Sequence, residues 1–236
     1  GSELRATLYI SDEQGRDYVS TVDVISILAY AQLCFDSYSY EAQPALYTLL
    51  VDTMNYGAAA QLYFGRRTDC LVNSGLEAYQ QYATAQLSEE LNDSMVTLQG
   101  QGTAVSKLGF TVNFADKTEL NAKLTLSDSS AEITSVQVTD ADGNLLATLT
   151  EFTTLSDGRL QVTYHDIKAT QLRQMYYFTA YAGDQAVSAT AGYSVEAYAK
   201  GCIEGSNASL AELVRRCMYY GDSAVNYFVQ KGVESK

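Results

Sequence analysis

The sequence predicts an α+β protein that combines an antiparallel immunoglobulin-like β-sandwich with a duplicated hairpin–helix–loop–helix unit. Two observations lead to this fold class. A segment of nineteen residues recurs 164 positions later with helical spacing of its apolar residues, and residues 107–192 alternate apolar and polar side chains with period two. The first pattern is typical of amphipathic helices, and the second is typical of half-buried strands.

The recurring segment carries the strongest signal in the chain. Residues 46–64, LYTLLVDTMNYGAAAQLYF, align with residues 210–228, LAELVRRCMYYGDSAVNYF, and eight of nineteen positions are identical. Apolar residues at i, i+3, i+4 and i+7 predict one buried stripe on a helix of about five turns. Gly57 and Gly221 lie on this stripe. Because glycine inside a helix costs about 1 kcal/mol relative to alanine, we expect another element to pack closely against each.

Upstream the alignment continues with an offset of 168 residues, through a shorter helical stripe that begins at Ser26 and Ser194. The change of offset makes the loop between the helices four residues longer in the first copy, DSYSYEAQPA against EGSNAS. Further upstream, alternating residues flank a turn that contains Gly15 in one copy and Gly183 in the other, which predicts a β-hairpin.

These patterns divide the chain into four segments. We expect a first hairpin and helix pair at 3–66, an irregular polar connection at 67–106, a β-sandwich at 107–192 and a second helix pair at 193–232. Two explanations stay open for the first hairpin. It is the end of a sandwich whose other strands lie outside this sequence, or it pairs with another sheet.

Composition argues against two classes of partner. The chain has 15 Lys and Arg against 28 Asp and Glu, a formal net charge of −13, whereas a nucleic-acid surface needs a basic patch. No run of about 18 apolar residues occurs, so we expect no membrane insertion. We also expect a monomer that needs no cofactor.

Few side chains could support catalysis or hold a metal, and we predict no catalytic and no metal-binding residue. His165 is the only histidine; it is predicted to be satisfied locally at a strand end, because one histidine cannot build a His-rich metal site. The segment 140–144, DADGN, lacks the glutamate of a calcium loop, and a hairpin turn explains it better. A glycosidase stays open as an alternative, because the spacing of two catalytic carboxylates is a tertiary property.

The four cysteines show no CxxC spacing, which makes a zinc site improbable. Cys34 and Cys202 occupy aligned positions on apolar stripes, and we expect them to be buried free thiols. A bridge between Cys202 and Cys217 is the alternative.

Tyrosine is unusually frequent, with 19 Tyr against 7 Phe. Many of these tyrosines recur with the helices and are expected in the core. The predicted ligand-binding residues lie where the repeat does not require an aromatic side chain: Tyr38, Tyr40, Tyr79, Tyr82 and the neighbouring Gln80. Tyrosine rings among amides and carboxylates suit stacking on sugar rings. A protein interface, or ordinary surface tyrosines, is the alternative.

Three segments, NYGAAAQLYF at 55–64, TDCLVNSGL at 68–76 and YSVEAYA at 193–199, resemble a repeated module of large secreted proteins of gut clostridia and ruminococci. In that family, helix pairs with a Tyr-Gly-Ala-Ala segment follow immunoglobulin-like sandwiches, and some members belong to starch- and fibre-adherence systems. The second copy departs from the pattern at Asp222-Ser223, where the first has Ala58-Ala59. The resemblance implies a secreted or cell-surface, non-catalytic protein with a glycan ligand.

Together these observations predict a non-catalytic extracellular module that binds polysaccharide, with an α-glucan as the favoured ligand. The first alternative is a structural spacer or a protein-adhesion module, whose partner would be another surface protein. A glycosidase is the second alternative. Exposed tyrosines that cluster on one face would favour glycan binding, whereas scattered tyrosines would favour a spacer.

Overall fold

The computed structural model describes residues 4–11, 17–93, 95–97, 103–115, 117–127, 131–165 and 167–232, with backbone only before residue 26. The chain forms two compact units, Gly1–Ala85 and Gln86–Lys236. The boundary falls inside the segment 67–106 that the sequence patterns assign to a connection. Residues up to 85 therefore belong with the first helix pair, and residues from 86 onward belong with the sheets.

The first unit consists of an antiparallel hairpin, two α-helices and a 3₁₀ helix. Their bounds are Leu4–Ser11 (β1), Asp17–Ile25 (β2), Ile27–Ser37 (α1), Pro44–Phe64 (α2) and Glu77–Tyr82 (the first 3₁₀ helix). The hairpin and both α-helices occur where the alternation and the helical spacing predicted them. The turn that contains Gly15 lies outside the described residues.

Local residue chemistry explains where the two helices of this unit begin and end. The Ser26 side chain caps α1 by accepting a hydrogen bond from the Ala29 N–H at 3.0 Å. Pro44 begins α2, where its missing N–H would have had no helical partner. Gly65 ends α2 with a φ of 63°, a left-handed conformation that glycine adopts without a steric penalty.

The core of the first unit lies between α1, α2 and the chain that follows α2. Its buried members are Ala31, Cys34 and Phe35 from α1, Tyr47, Leu50, Val51 and Met54 from α2, and Leu76. Leu76 is completely buried although it belongs to a stretch that looks polar in the sequence. One apolar side chain thus anchors residues 72–83 against the helix pair.

The second unit contains two antiparallel sheets, so the chain is an α+β protein. The strands are Val96–Thr97 (β3), Val105–Asn113 (β4), Glu119–Leu126 (β5), Ser135–Thr139 (β6), Leu145–Leu149 (β7), Thr153–Thr154 (β8), Leu160–Tyr164 (β9), Tyr176–Ala182 (β10), Gln185–Ala186 (β11) and Ala191–Tyr193 (β12). One sheet has the order β4-β5-β9-β8. The other has the order β3-β12-β10-β6-β7, with β11 also paired to β10.

The two sheets meet through alternating apolar side chains, as the period-two pattern predicted. Alternate residues of β5 and β6, among them Leu120 and Val136, are completely buried. Between the sheets, the rings of Phe110 on β4 and Phe178 on β10 lie 5.2 Å apart. This arrangement is compatible with a β-sandwich.

Two helices, Val195–Ile203 (α3) and Ala208–Gln230 (α4), follow β12, and a second 3₁₀ helix, Ala169–Gln171, precedes β10. Ser194 caps α3 by accepting a hydrogen bond from the Ala197 N–H at 3.0 Å. Next along α3, Val195 is fully buried and Tyr198 packs on Phe114 at 6.0 Å. At the position aligned with Val195, Ile27 on α1 is 59% exposed.

Each glycine on the long helical stripes lies where another chain segment approaches closely, which confirms that prediction. A Cβ added at Gly57 would lie 2.8 Å from Cγ1 of Val72. A Cβ at Gly221 would lie 2.7 Å from Cδ1 of Leu172 and 3.1 Å from the carbonyl oxygen of Ala169. Glycine is thus required on α2 and α4 because a side chain would displace the segment packed there.

A polar network inside the second unit connects Arg173, which lies just before β10, with α3 and α4. The Arg173 guanidinium donates to Glu196 on α3 and to Asp222 on α4, the latter with an Nε–Oδ1 distance of 3.0 Å. Asp222 also accepts hydrogen bonds from the N–H and hydroxyl of Ser88, both at 2.9 Å. Burial opposes the charge on Arg173, but the hydrogen bonds and charges of Asp222 and Glu196 outweigh it and raise the pKa of Arg173.

Within the described ranges, no helix combines the length and the apolar character that crossing a membrane requires.

Alanine substitutions separate the packing role of glycine from its helix propensity. We expect Gly221→Ala to lower the free energy of unfolding by about 1–3 kcal/mol, because the new methyl group overpacks the contact with Leu172 and Ala169. Gly201→Ala on α3 is the matched control. It meets no atom within 4 Å and should gain about 0.5–1 kcal/mol from helix propensity. Equal stabilities of the two variants in chemical denaturation would contradict the packing role.

A surface carboxylate on α4 gives a testable dependence of stability on pH. Glu212 accepts hydrogen bonds from Arg216 at 2.7 Å and Arg215 at 2.9 Å. Burial raises the pKa of Glu212, but these bonds and charges outweigh it and hold the pKa below its ordinary value of 4.5. The ion pairs therefore stabilise the fold above about pH 4.5, and this contribution is lost as the pH falls through the folded-state pKa.

Replacing this carboxylate should remove its pH dependence. We expect Glu212→Gln to lower the free energy of unfolding by about 0.2–1 kcal/mol at pH 7, the usual size for solvent-screened pairs. The difference from the parent should shrink towards pH 3. Thermal unfolding of both chains between pH 3 and pH 7 measures this, and a difference that does not change with pH would rule out the charge effect.

Candidate functional site

Five aromatic side chains of the first unit meet in one cluster, which we call the aromatic cluster: Phe35, Tyr40, Tyr47, Tyr79 and Tyr82. The Tyr40 and Tyr82 rings stack with centroids 4.3 Å apart, and the Phe35 and Tyr79 rings stack at 4.1 Å. Tyr47 touches both pairs, at 4.8 Å from Phe35 and 5.3 Å from Tyr82. The cluster packs against the core of the first unit.

Tyr47 positions the end of α1 and thereby one side of the cluster. This residue is buried on α2, and its hydroxyl donates to the carbonyl oxygens of Tyr38 at 2.6 Å and Phe35 at 3.1 Å. Burial raises the pKa of the Tyr47 phenol above its ordinary value, and the neighbouring Tyr79 and Tyr82 raise it further. The phenol therefore stays protonated and can donate these hydrogen bonds at neutral pH.

A pair of amides positions the other side of the cluster, on the first 3₁₀ helix. Asn55 on α2 donates to the side-chain oxygen of Gln80 at 2.9 Å, and Gln80 donates back to Asn55 at 3.2 Å. Asn73 donates to the same Asn55 oxygen at 3.0 Å. Because Asn55 is buried, these bonds satisfy polar atoms that would otherwise be costly to desolvate.

A buried carboxylate fixes the chain directly after the first 3₁₀ helix. Asp52 on α2 accepts hydrogen bonds from the Thr84 hydroxyl at 2.6 Å and from the Thr84 N–H at 3.1 Å. Asp52 is almost fully buried, so losing these partners would leave a desolvated carboxylate. The two contacts hold residues 77–84 along α2.

The structure brings together three of the four tyrosine rings that the sequence predicted for a ligand site. Tyr40, Tyr79 and Tyr82 are half-buried members of the aromatic cluster. Tyr38 contributes its carbonyl oxygen to the Tyr47 hydroxyl, and its side chain is 50% exposed. Gln80 is exposed, but its amide is paired with a protein group, which makes it a positioning residue for the tyrosines.

The phenol hydroxyls of Tyr40, Tyr79 and Tyr82 make no hydrogen bond to any described part of the chain. Their rings are held by stacking and by the core, while their polar atoms are left to solvent. The cluster therefore combines fixed aromatic surface with hydroxyl groups that can bind an external polar molecule.

The sequence patterns did not single out Phe35, Tyr47 or Asn55 as site residues. A signal for two of them was present. Tyr47 aligns with Ala211 and Asn55 aligns with Tyr219, so both belong to the differences between the copies that pointed to the loop tyrosines. No such signal marks Phe35, because an apolar residue on a helical stripe is explained by packing alone.

Two polar motifs have the local roles that the sequence predicted. His165 follows β9, and its Nδ1 lies 2.7 Å from a carboxylate oxygen of Glu119. Asp140 closes the turn between β6 and β7 by accepting hydrogen bonds from the N–H groups of Asp142 at 3.0 Å and Asn144 at 2.8 Å. The Asn144 hydrogen bonds lower the pKa of Asp140, as expected for a carboxylate satisfied within a turn.

None of the four cysteines forms a disulfide, so the predicted thiol state of Cys34 and Cys202 is confirmed, whereas the predicted burial holds for Cys34 and not fully for Cys202. Cys34 and Cys217 are buried, Cys202 is half-buried and Cys70 is exposed. Burial raises the pKa of the Cys202 thiol although a hydrogen bond with Tyr198 opposes this effect. Over the described residues, no group of three or more His, Cys, Asp or Glu side chains could hold a metal ion.

Comparison of the chain with protein-family models, with curated proteins and with solved structures finds no match.

Tyrosine-to-phenylalanine substitutions distinguish the hydroxyl of Tyr47, which bonds the backbone, from the hydroxyl of Tyr82, which does not bond the described chain. We expect Tyr47→Phe to lower the free energy of unfolding by about 1–2 kcal/mol, because two carbonyl oxygens lose their donor. We expect Tyr82→Phe to change it by less than about 0.5 kcal/mol, because that hydroxyl has no partner among the residues that the structure describes. Chemical denaturation monitored by circular dichroism measures both. A Tyr82→Phe loss as large as that of Tyr47→Phe would contradict the assignment.

Proposed function

We propose that this chain is a non-catalytic binding module of a secreted or cell-surface bacterial protein, and that it binds polysaccharide, with an α-glucan favoured, through the aromatic cluster. The observation that carries the proposal is the convergence of Tyr40, from the loop between α1 and α2, with Tyr79 and Tyr82 of the first 3₁₀ helix. Their hydroxyls have no partner in the described chain. Loops held on a rigid scaffold are the usual location of binding residues.

The chemistry of a sugar ring fits the exposed part of this cluster. A pyranose presents C–H groups on its faces and hydroxyls around its rim. The exposed ring of Tyr38 offers an apolar face, and the free phenols of Tyr40 and Tyr82 offer donors and acceptors to the rim. Because the half-buried rings are already fixed by stacking, binding would cost little side-chain entropy.

Two carboxylates lie near the same surface. Asp36 and Glu41 are exposed. The pKa of Tyr47 is raised mainly by burial, then by Tyr79 and Tyr82, and to a smaller extent by the negative charges of Glu41 and Asp36. Carboxylate oxygens are strong acceptors for sugar hydroxyls. Hydrogen bonds to these two carboxylates would fix the orientation of a sugar that otherwise contacts only aromatic rings and phenol hydroxyls.

We propose an immunoglobulin-like identity for the sheets of the second unit. Their orders β4-β5-β9-β8 and β12-β10-β6-β7 correspond to strands A-B-E-D and G-F-C-C′ of that fold. The short β3 extends the second sheet beyond β12. Such a framework is common in modules of surface proteins, and it supports the proposed extracellular setting.

We also propose that the two hairpin–helix–loop–helix segments arose by duplication. Eight identities in nineteen aligned positions support this. So do the matching serine caps at Ser26 and Ser194 and the matching close approaches at Gly57 and Gly221. Under this proposal the binding site developed in the copy with the longer loop.

A structural spacer is the second candidate, and one observation favours it. The rings of the aromatic cluster stack mainly on each other, which is also what a simple extension of the core would give. The two functions differ in what the free hydroxyls do. They would contact a ligand in a binding module and only water in a spacer.

The test removes hydroxyls without disturbing the packing. Affinity electrophoresis against a polysaccharide panel identifies a ligand, and calorimetric titration with its oligosaccharides, maltooligosaccharides in the favoured case, measures affinity. We expect Tyr40→Phe and Tyr82→Phe each to weaken binding by about two- to tenfold. Tyr38→Ala should weaken it by about tenfold through the lost ring face. Thermal stability should stay unchanged in all three.

Tyr181→Phe is the matched control, since this half-buried tyrosine lies on β10 of the second unit. Its affinity should equal that of the parent chain. If no polysaccharide retards the parent chain, the spacer function is favoured. If the parent chain binds but the Tyr38, Tyr40 and Tyr82 variants all bind equally well, the ligand site lies elsewhere.

A further inference from the structure

A cleft of about 380 Å³ lies between β7 and β9 of the second unit. It exists because β8 is very short. β8 pairs only with Leu160 and Gln161 of β9, so among the described strands the remainder of β9 has no neighbour on this side. β7 is likewise the last strand in the order of its sheet. The two sheets thus leave a gap between their edges.

The lining of the cleft is rich in polar side chains that have no partner in the described ranges. Thr148, Thr150, Thr153 and Glu151 are among the lining residues, with three hydroxyls and one carboxylate. None of them makes a hydrogen bond or ion pair with the described residues. The Thr163 hydroxyl, also in the lining, donates to Asn121 outside it at 2.7 Å. The cleft therefore presents several free donors and acceptors to a ligand.

His165 adds a hydrogen-bond acceptor to the cleft, because Glu119 fixes the tautomer of its imidazole ring. Burial raises the pKa of Glu119, but hydrogen bonds from His165 and Asn113 outweigh it and lower the pKa overall, so Glu119 is ionised at neutral pH. The ionised carboxylate requires a proton on Nδ1 of His165, 2.7 Å away. In the neutral ring the lone pair is then on Nε2, which is left for the cleft that this side chain lines.

Geometry and charge exclude several kinds of ligand. An inserted peptide strand would need about 9–10 Å between its two neighbours, whereas β7 and β9 approach within 8 Å between Cα atoms. No Phe, Tyr or Trp is among the lining residues, so a planar heterocycle would find no ring of these types to stack on. An anion would meet the free carboxylate of Glu151 in a chain of net charge −13.

We propose that this cleft binds a small neutral saccharide, or one end of a saccharide chain, through its threonine hydroxyls, Glu151 and Nε2 of His165. A ligand with many hydroxyls can serve each of these groups, since a hydroxyl both donates and accepts. The volume lies near the lower end of the range of about 300–1,000 Å³ for small-molecule sites, which suits one or two sugar rings. The proposal stands on different residues from the aromatic cluster.

The single histidine supplies a direct readout of this site in the intact chain. The imidazole Cε1–H proton of His165 gives one resonance, because the sequence holds no other histidine. The chain is titrated at pH 7.5 with glucose, galactose, N-acetylglucosamine, maltose and cellobiose. We expect at least one sugar to shift this resonance in a saturable manner. A resonance unmoved by every sugar at high millimolar concentration would overturn the proposal.

Threonine-to-valine changes then test the contacts while keeping the side-chain shape. We expect Thr148→Val and Thr153→Val each to weaken the saturable shift by about two- to tenfold. Thr154→Val is the matched control, because Thr154 is the neighbouring exposed residue on β8 and does not line the cleft. Equal affinities for Thr153→Val and Thr154→Val would also overturn the proposal.

The same titration distinguishes the proposed cleft site from the proposed aromatic-cluster site. Tyr82→Phe should leave the His165 shift unchanged, since Tyr82 is not among the lining residues of the cleft. A parent chain that no polysaccharide retains but that shows a saturable His165 shift would refute only the proposed function of the aromatic cluster. A silent His165 with intact retention would refute only the cleft.

Discussion

The structure of each unit depends on one constraint: a pair of amphipathic helices cannot bury the whole apolar stripe of its longer member. A third segment must cover what remains. Residues 72–83 cover α2 in the first unit, with Val72 against Gly57 and Leu76 in the core. The second 3₁₀ helix and Leu172 cover α4 in the second unit. Both covering segments approach so closely that only glycine fits beneath them.

The way in which each covering segment is held decides what its unit can do. In the second unit an arginine network does this, with Arg173 bound to Asp222 and Glu196. In the first unit the polar groups are uncharged amides together with one buried carboxylate, Asp52. The amide pair holds a short helix that carries Tyr79 and Tyr82, and the longer loop places Tyr40 against them. The aromatic cluster is therefore a consequence of how the stripe of α2 is covered.

The tyrosines of the aromatic cluster can stack on each other and still bind a ligand, because stacking uses the ring faces and ligand binding would use the hydroxyls. The faces of Tyr40 and Tyr82 meet each other, while their hydroxyls have no partner in the described chain. Tyr38, two residues before Tyr40 in the same loop, adds an exposed side chain. The cleft beside β9 follows a similar principle, since a strand that stops early leaves three threonine hydroxyls and Nε2 of His165 without a partner among the described residues. In both places the packing fixes side chains whose polar atoms remain available.

The sequence alone determined the elements that depend on local periodicity and local chemistry. In the described chain, helical spacing located the four α-helices, alternation located the longer strands, and the glycines on the stripes marked close approaches. The two-residue strand β3 was missed, because it lies in the segment 67–106 that was predicted to be irregular. These features are encoded within a few neighbouring residues, so a pattern of polarity is sufficient to find them. The predicted tyrosines were also found in this way, as aromatic side chains in loops where the repeat requires none.

Only the tertiary structure decided which segments cover which helix and what the site residues contact. Gln80 looked like a ligand-binding amide, but its partner Asn55 lies 25 residues earlier in the chain. Leu76 looked like part of a surface connection, but it is completely buried in the core of the first unit. Periodicity indicates that a side chain is buried, but it does not indicate which residues the side chain packs against, since contacts between distant residues leave no local pattern. For the same reason, the strand order and the gap between β7 and β9 emerged only when the sheets were assembled.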